Sequence, residues 1–510
     1  MSEQNSIMKQ LENLDIRIFA VAVSMLFSWI VIAGQVVLND DAYSYLKAAE
    51  LFAGQGLGAT LGAYGWYGYS VIISLVDSIL PTSLVNSAHI FNAMCFALLV
   101  WSFITLVSEF TPSREARFFA AIVILCFPTI NEMRYALVRD FGYWACCLTA
   151  LVQLTRYSRT GSIGHALGWV LSMGVAVFFR LEGLLLVLLT PFALLAGWRD
   201  QPAPGSSLFF KLASILLGCS ALILLLFIAA GINLADIFRF AYRWYLPLLA
   251  DYPGTLMGAA ENTSLSFHIS EQIQAFTGKG LVILFLGYLY AVAANLFFAL
   301  GPLFTAFLLF GVVTRWQTTR QSLNVSWFFY LAGSLLALLI FVSIMQFLTT
   351  RYAVMAALLL LALMPLQLDS LYSAAMKSGK QNVFRGVFAT MVFYFVIDSL
   401  FSFGYSKAYF SEAIDWSHEN LGQNELLLTN SAAIAYHSGR VNDYDEVPMD
   451  IASMLESLGE SLDEYQYLFI AVDHDDIESR NTLDNHGGLR ERIRFNNARD
   501  DAVVIYSISN

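Results

Sequence analysis

Two adjacent carboxylates, Asp40 and Asp41, follow the first long apolar run of the chain, in the stretch Leu38-Asn-Asp-Asp-Ala-Tyr-Ser-Tyr-Leu-Lys-Ala-Ala-Glu50. Further ionisable groups recur where later apolar runs end: Glu132, Arg134, Arg139 and Asp140, then Arg180 and Glu182, then Arg351. A charge beside hydrocarbon is costly and commonly marks a pathway or a site. A carboxylate can act as a general base, taking the proton of an attacking hydroxyl. Arginines are permanent cations that grip phosphate in two places and stabilise charge growing on it as it departs. The set therefore suits transfer of a group from a lipid-linked phosphate donor to an acceptor hydroxyl. Asp40, Asp41 and Asp140 are the candidate catalytic acids, and Glu132, Arg134, Arg139, Arg180, Glu182 and Arg351 are the candidate substrate contacts. The competing reading, strongest for Arg180, Glu182 and Arg351, is that these charges pair with one another and pin helix ends together.

The elements that must position these residues follow from composition. With 57% hydrophobic and 13% charged residues and a mean hydropathy of +0.61, the chain exceeds what soluble globular proteins carry. Runs long enough to cross a bilayer fall at about 17–38, 84–108, 115–131, 136–157, 163–180, 181–198, 208–231, 281–313, 325–348, 351–368 and 383–403. This predicts an all-α polytopic membrane protein of about eleven transmembrane helices. The stretch 66–80 is apolar but short and ends at Pro81, so it is expected to lie in the interface or re-enter. With a cytoplasmic N-terminus and 66–80 not crossing, thirteen Lys and Arg fall in cytoplasmic segments and eight in outer loops before residue 404, the bias that the positive-inside rule requires. All the candidate acids and arginines then lie on the outer side.

The net charge of −11 is uneven: after Gly404 there are 20 acids and 7 bases, a net of −13. The acidity thus belongs to residues 405–510, expected to form a small extracytoplasmic α/β domain behind a transmembrane domain over 1–404, and it excludes nucleic acid as a partner. In this tail Ser411 to Leu421 has helical spacing, while Glu425–Thr429, Tyr467–Val472 and Ala502–Ser507 read as short strands. Val472-Asp-His-Asp-Asp476 has metal-ligating residue types but reads as a solvated turn after a buried strand. Two further outer segments, 38–67 and 232–280, are polar. The first holds an amphipathic helix from Tyr43 to Phe52 and a glycine-rich, aromatic stretch, read either as a flexible loop or as a substrate-contacting one.

Cys95, Cys126, Cys146, Cys147 and Cys219 all sit in apolar runs, so neither a disulfide framework nor a zinc site is implied. The first apolar run is longer than a signal-peptide core and lacks a small-residue cleavage site, and it reads as an uncleaved span. Nucleotide, zinc-protease and serine-hydrolase motifs are missing.

The order and sidedness of Asn39-Asp-Asp-Ala-Tyr, Phe127-Pro128, Arg139-Asp-Phe-Gly-Tyr-Trp144, Phe179-Arg-Leu-Glu-Gly183 and Thr350-Arg-Tyr352 resemble the C-type (GT-C) superfamily of membrane glycosyltransferases. The likeness is greatest to bacterial members near the protein O-mannosyltransferases and the lipid A aminoarabinose transferase, over roughly residues 15–410. It implies a polyprenyl-phosphate sugar donor, an inverting transfer at the outer face of the cytoplasmic membrane, and a catalytic aspartate in the first outer loop, Asp40 or Asp41. Asp140 resembles the family's second-loop acid, and Arg180 and Arg351 its span-end arginines. Where many relatives carry His-Pro-Pro or Pro-x-x-Pro, this chain has Tyr64-Gly-Trp-Tyr-Gly-Tyr69. A glycan, lipid or protein acceptor stays open. So does the cation: adjacent acids can hold Mg²⁺ or Mn²⁺, while outer arginines equally suit a metal-free phosphate site. A transporter or flippase for lipid-linked saccharides, which Asp398 in the last span would fit, and a non-catalytic envelope scaffold are the other classes to weigh.

Overall fold

Apolar periodicity, capping residues and glycine breaks set most of the elements. The computed structural model describes residues 15–34, 37–64, 67–80, 82–196, 202–229, 231, 235, 254, 257–258, 280–400, 407–422, 425–441, 443–448, 451, 454–455, 465–484 and 489–508. The first helices are α1 (Ile16–Ala33), α2 (Asp40–Gln55), α3 (Leu57–Ala63), α4 (Tyr67–Ile79), α5 (Leu84–Phe110), α6 (Arg114–Leu125), α7 (Pro128–Glu132), α8 (Asp140–Thr160) and α9 (Ile163–Phe179). Then follow α10 (Gly183–Leu189) with a 3₁₀ turn over Thr190–Leu194, α11 (Gly205–Ala229), α12 (Gly280–Leu300), α13 (Pro302–Ser322), α14 (Val325–Met345), α15 (Thr350–Leu361), α16 (Leu363–Lys377) and α17 (Gln381–Leu400). The C-terminal elements are α18 (Ala408–Asn420), β1 (Leu426–Thr429), α19 (Ala432–Ser438), β2 (Tyr465–Val472), α20 (Ile477–Asp484), β3 (Leu489–Asn496) and β4 (Ala502–Ile508).

Among the described residues six helices are long and apolar enough to cross a membrane: α1, α5, α11, α12, α14, and α15 continued by α16. α4, α9, α10 with its 3₁₀ turn, and α17 are shorter apolar helices. The chain is thus a multi-pass membrane protein. Two compact units divide it. One takes in Met1–Ser28, Phe91–Met133 and Arg139–Leu400, and the other Trp29–Ile90, Arg134–Val138 and Phe401–Asn510.

In the first unit α8 and α9 form a helical hairpin, closed by Gly161 in the left-handed region at φ 63°. α12 pairs with α15 and α13 with α16, so the two broken helices run side by side in one direction. Thr350 and Asn295 approach at 3.5 Å near one end and Arg315 and Ser370 at 3.2 Å near the other. Two buried indoles within the apolar bundle are matched: the Trp327 indole donates to the Leu359 carbonyl at 2.9 Å, and the Trp169 indole to the Tyr330 hydroxyl at 3.0 Å. Such pairing is what a medium without water demands.

Three predicted spans differ from the observed helices. The run 281–313 is two helices, because Gly301 adopts φ 76° and ψ 160° and Pro302 starts a new helix. The run 115–131 stops at Leu125, where Pro128 and its preceding residue break the helix. The run 181–198 is helical only from Gly183 and tightens to 3₁₀ at Thr190-Pro191. The segment 232–280 lies almost entirely outside the described residues.

In the second unit α2 packs against α3 and α4, so the glycine-rich stretch that reads as a loop is in part helical. The C-terminal sheet has order β1-β2-β4-β3, with β1 parallel to β2 and the other pairs antiparallel. Alternation splits its core between two faces. Leu468, Ile470, Val504 and Tyr506 meet Ile451, Met454 and Leu483. Phe469, Val503 and Ile505 meet Tyr409, Leu427 and Ile434. β3 is the strand that the sequence pattern misses, for a physical reason: Leu-Arg-Glu-Arg-Ile-Arg-Phe-Asn is the charged edge of the sheet, with only Leu489, Ile493 and Phe495 turned inward.

Candidate active site

Asp140 is the first residue of α8, and Arg180 caps the C-terminal end of α9 in extended conformation at φ −146° and ψ 124°. The hairpin brings them together. The Arg180 guanidinium donates through Nη1 to Asp140 Oδ1, and through Nη2 to Glu182 Oε1 at 2.6 Å. Arg351, the second residue of α15, adds its Nε at 3.6 Å from Asp140 Oδ2. Two tyrosine rings face the cations: Arg180 Cζ lies 4.5 Å from the Tyr352 ring centre and 5.8 Å from that of Tyr143, and Arg351 Cζ lies 5.5 Å from that of Tyr352. Gly142 is what permits the approach, since a Cβ there would run into the ring of Phe179, the residue before Arg180.

Exposure separates the members of this cluster. The Asp140 and Arg180 side chains are 2% and 5% exposed, whereas Glu182 and Arg351 keep 21% and 29%. A small cleft opens beside them, lined by Tyr143, Arg180, Glu182 and Tyr352 at its polar part and by Leu338, Phe341 and Met355 at its apolar part. A polar end with the Arg180 guanidinium and an aromatic, aliphatic wall match the two halves of an amphiphile carrying an anionic head.

At the other end of α8, Arg156 Nε reaches Glu109 Oε1 at 2.7 Å and Arg159 Nη1 reaches Glu109 Oε2 at 3.0 Å. Lys211 donates to the Gly161 carbonyl at 2.9 Å, and Arg17 stacks on Trp101, 4.6 Å from its ring centre. With a rise of about 1.5 Å per residue, α8 holds Arg156 and Arg159 at the end opposite the Asp140 cluster.

The remaining predicted residues are placed as follows. Asp40 and Asp41 form the first turn of α2 in the second unit, Asp40 exposed and Asp41 half-buried. Asn39, the N-cap, does not cap its own helix. Its Oδ1 accepts from Leu137 N at 2.7 Å and its Nδ2 donates to Leu137 O at 3.4 Å, a two-point clasp on the 134–138 segment. Arg134 is buried in that segment, Glu132 is an exposed end of α7, and Arg139 is the half-buried N-cap of α8. The first unit thus gathers Asp140, Arg180, Glu182 and Arg351, while Asp40, Asp41 and Arg134 belong to the second. The functional reading of the sequence misses Asn39, Tyr143 and Tyr352 as individuals, although each sits in a stretch it marks. Tyr143 follows Asp140 by three positions and Tyr352 adjoins Arg351, so helical spacing was the available signal. Among the described residues no three His, Cys, Asp or Glu side chains gather to hold a metal ion, so no cation site is assigned.

No protein-family profile and no curated protein matches the sequence. The fold does match solved structures, and these neighbours are C-type membrane glycosyltransferases. The chain is similar to ArnT from Cupriavidus metallidurans in the apo state, at a TM-score of 0.55 and 12% identity, over 96% of this chain and 97% of that one. It is also similar to the archaeal oligosaccharyltransferase AglB from Archaeoglobus fulgidus, solved with an inhibitory peptide and a dolichol-phosphate, at a TM-score of 0.53 and 14% identity, over 89% of this chain and 69% of that one.

Proposed function

We propose that the protein is an inverting glycosyltransferase that moves a sugar from a polyprenyl-phosphate donor to an acceptor hydroxyl at the outer face of the cytoplasmic membrane. The observation that carries this reading is the cleft lined by Arg180 together with apolar side chains, with Arg351 joined to the same cluster through Asp140, in a chain with the fold of membrane glycosyltransferases. The dolichol-phosphate held by the archaeal neighbour supports the donor class.

In this reading the acceptor oxygen attacks the anomeric carbon as the bond from that carbon to the phosphate oxygen breaks. Asp40 or Asp41 takes the hydroxyl proton, and Asp40, the first of the pair and the more exposed, is preferred. The polyprenyl phosphate leaves with its charge, which the solvent-reaching Arg351 meets directly. Arg180, enclosed by two carboxylates, is assigned to fix the electrostatic frame of the cleft, and Asp140, equally buried, to orient both arginines. Glu182 lines the polar end, and Glu132, Arg134 and Arg139 are proposed as further substrate contacts, Arg134 being the buried one. Glycan, lipid and protein acceptors are all compatible with this chemistry.

The matching topology has eleven crossings, a cytoplasmic N-terminus and an extracytoplasmic 405–510 domain. Its support is that cations assigned to the cytoplasm, Arg156, Arg159 and Lys211, meet partners at the end of α8 away from Asp140. A transporter would need its charges along a path through the bundle, whereas these cluster at helix ends.

Binding of polyprenyl phosphate to the purified protein tests the proposal. Thermal stabilisation by the lipid phosphate is expected for the wild type, weakened about tenfold or more in apparent affinity by Arg351→Ala through loss of a charge-assisted contact. Equal binding of polyprenol lacking phosphate would contradict it.

A further inference from the structure

Helix α2 begins with the two candidate bases and is secured at its start by the Asn39 clasp on Leu137. Its packing against α3 and α4 holds one side of the helix, and the C-terminal sequence holds another. Tyr43, three positions after Asp40 and fully buried, packs its ring 5.6 Å from Tyr436 and 6.3 Å from His437 on α19. Tyr436 in turn meets Tyr444 at 4.9 Å. One turn further along α2, Lys47 lies over the Tyr444 ring at 5.1 Å and reaches Asp443 Oδ1 at 3.3 Å. These contacts lie within the second unit, which joins Trp29–Ile90 to Phe401–Asn510.

We infer that the C-terminal α/β domain is a positioning element for the reaction, clamping the acid-bearing helix α2 through Tyr436, Tyr444 and Asp443. The inference rests on the assignment of Asp40 or Asp41 as the base. Small displacements of a reacting group carry large rate penalties, of the order of a hundredfold for about 1 Å, so a docked domain can govern turnover without touching substrate. The aromatic contact between Tyr43 and Tyr436 carries the clamp. The Lys47 to Asp443 pair, whose acid is 74% exposed, adds orientation. Tyr436, Tyr444 and Asp443 are therefore positioning residues. An acidic domain appended to a membrane enzyme is usually read as a recognition module; here its packing assigns it a second task.

The test uses the full chain in detergent, with transfer from a polyprenyl-phosphate sugar and amide hydrogen exchange measured on the same preparations. Tyr436→Ala is expected to lower kcat by about tenfold or more with the donor KM unchanged, and to speed exchange over residues 40–55 while leaving 325–345 protected. Asp443→Lys should lower kcat severalfold, and adding Lys47→Asp should restore it, a recovery that loss of folding would not give. An active wild type whose Tyr436→Ala and Asp443→Lys variants keep full kcat would overturn the clamp alone. A wild type inactive with every donor tried would instead overturn the underlying transfer reading.

Discussion

At the scale of single residues, the cluster divides labour by exposure. Arg180 lies in apolar surroundings with carboxylates on two sides and Tyr352 against its face, so its charge is matched before any substrate arrives. Arg180→Ala would strand Asp140 as a buried, weakly paired carboxylate, a change that typically costs about 3–5 kcal/mol. A clear fall in thermal unfolding temperature is expected for this variant in detergent, and a much smaller one for Arg351→Ala. Equal falls would contradict the division.

Asp501 offers a pH test in the C-terminal domain. Hydrogen bonds from the Asn497 side chain, the His474 backbone and the His474 ring hold its carboxyl down to about 2, against the opposing effect of partial burial. A depressed carboxylate stabilises the fold above its unfolded value of about 3.9 and loses that contribution as pH falls through its folded value. Asp501→Asn should therefore raise exchange in β2 and β4 at pH 7 and converge on the wild type near pH 2. A difference of equal size at both pH values would contradict the argument.

The sequence made these residues legible as types and positions, and their pairing less so. Asp140 and Arg180 stand 40 positions apart, and only the hairpin of α8 and α9 shows that they neutralise each other. Asn39 reads as an ordinary N-cap until its amide is seen on Leu137, because local pattern cannot reveal a partner 98 residues away.

At the scale of elements, glycines decide where helices break and how closely they approach. Gly301 sits at φ 76° and ψ 160°, a conformation essentially reserved for glycine. Gly301→Ala is expected to cost about 1–3 kcal/mol in strain, read as a lower unfolding temperature, whereas Gly287→Ala in α12, with open space at its Cβ, should be near neutral. Gly142→Ala should act differently: by displacing the Phe179 ring it moves Arg180, so transfer should fall more than stability. Unchanged turnover in that variant would argue against the hairpin as the element that sets the site. Long apolar helices such as α5 and α14 are plain in the sequence because lipid or neighbours cover every face. β3 is hidden because its arginines point outward along a sheet edge, and the break at Gly301 is hidden because hydropathy continues through it.

At the scale of the whole molecule, sidedness is the claim that organises the rest. Cysteine introduced at Ser378, beyond α16, should react with a membrane-impermeant thiol reagent only after the membrane is opened, while one at Asn420, at the end of α18, should react in intact cells. Both on one side would overturn the eleven-crossing topology. The grouping of Trp29–Ile90 with the C-terminal residues is the feature of organisation that linear reading could not supply, since composition separates 1–404 from 405–510 by charge alone.

Transfer itself tests the central claim most directly: single-turnover measurement with a polyprenyl-phosphate sugar, comparing wild type with Asp40→Asn and Asp41→Asn at saturating donor. The account predicts that one of the two variants loses about 10²–10⁴ in rate, the share a general base contributes, while binding polyprenyl phosphate as tightly as the wild type. Wild-type rates in both variants would contradict it.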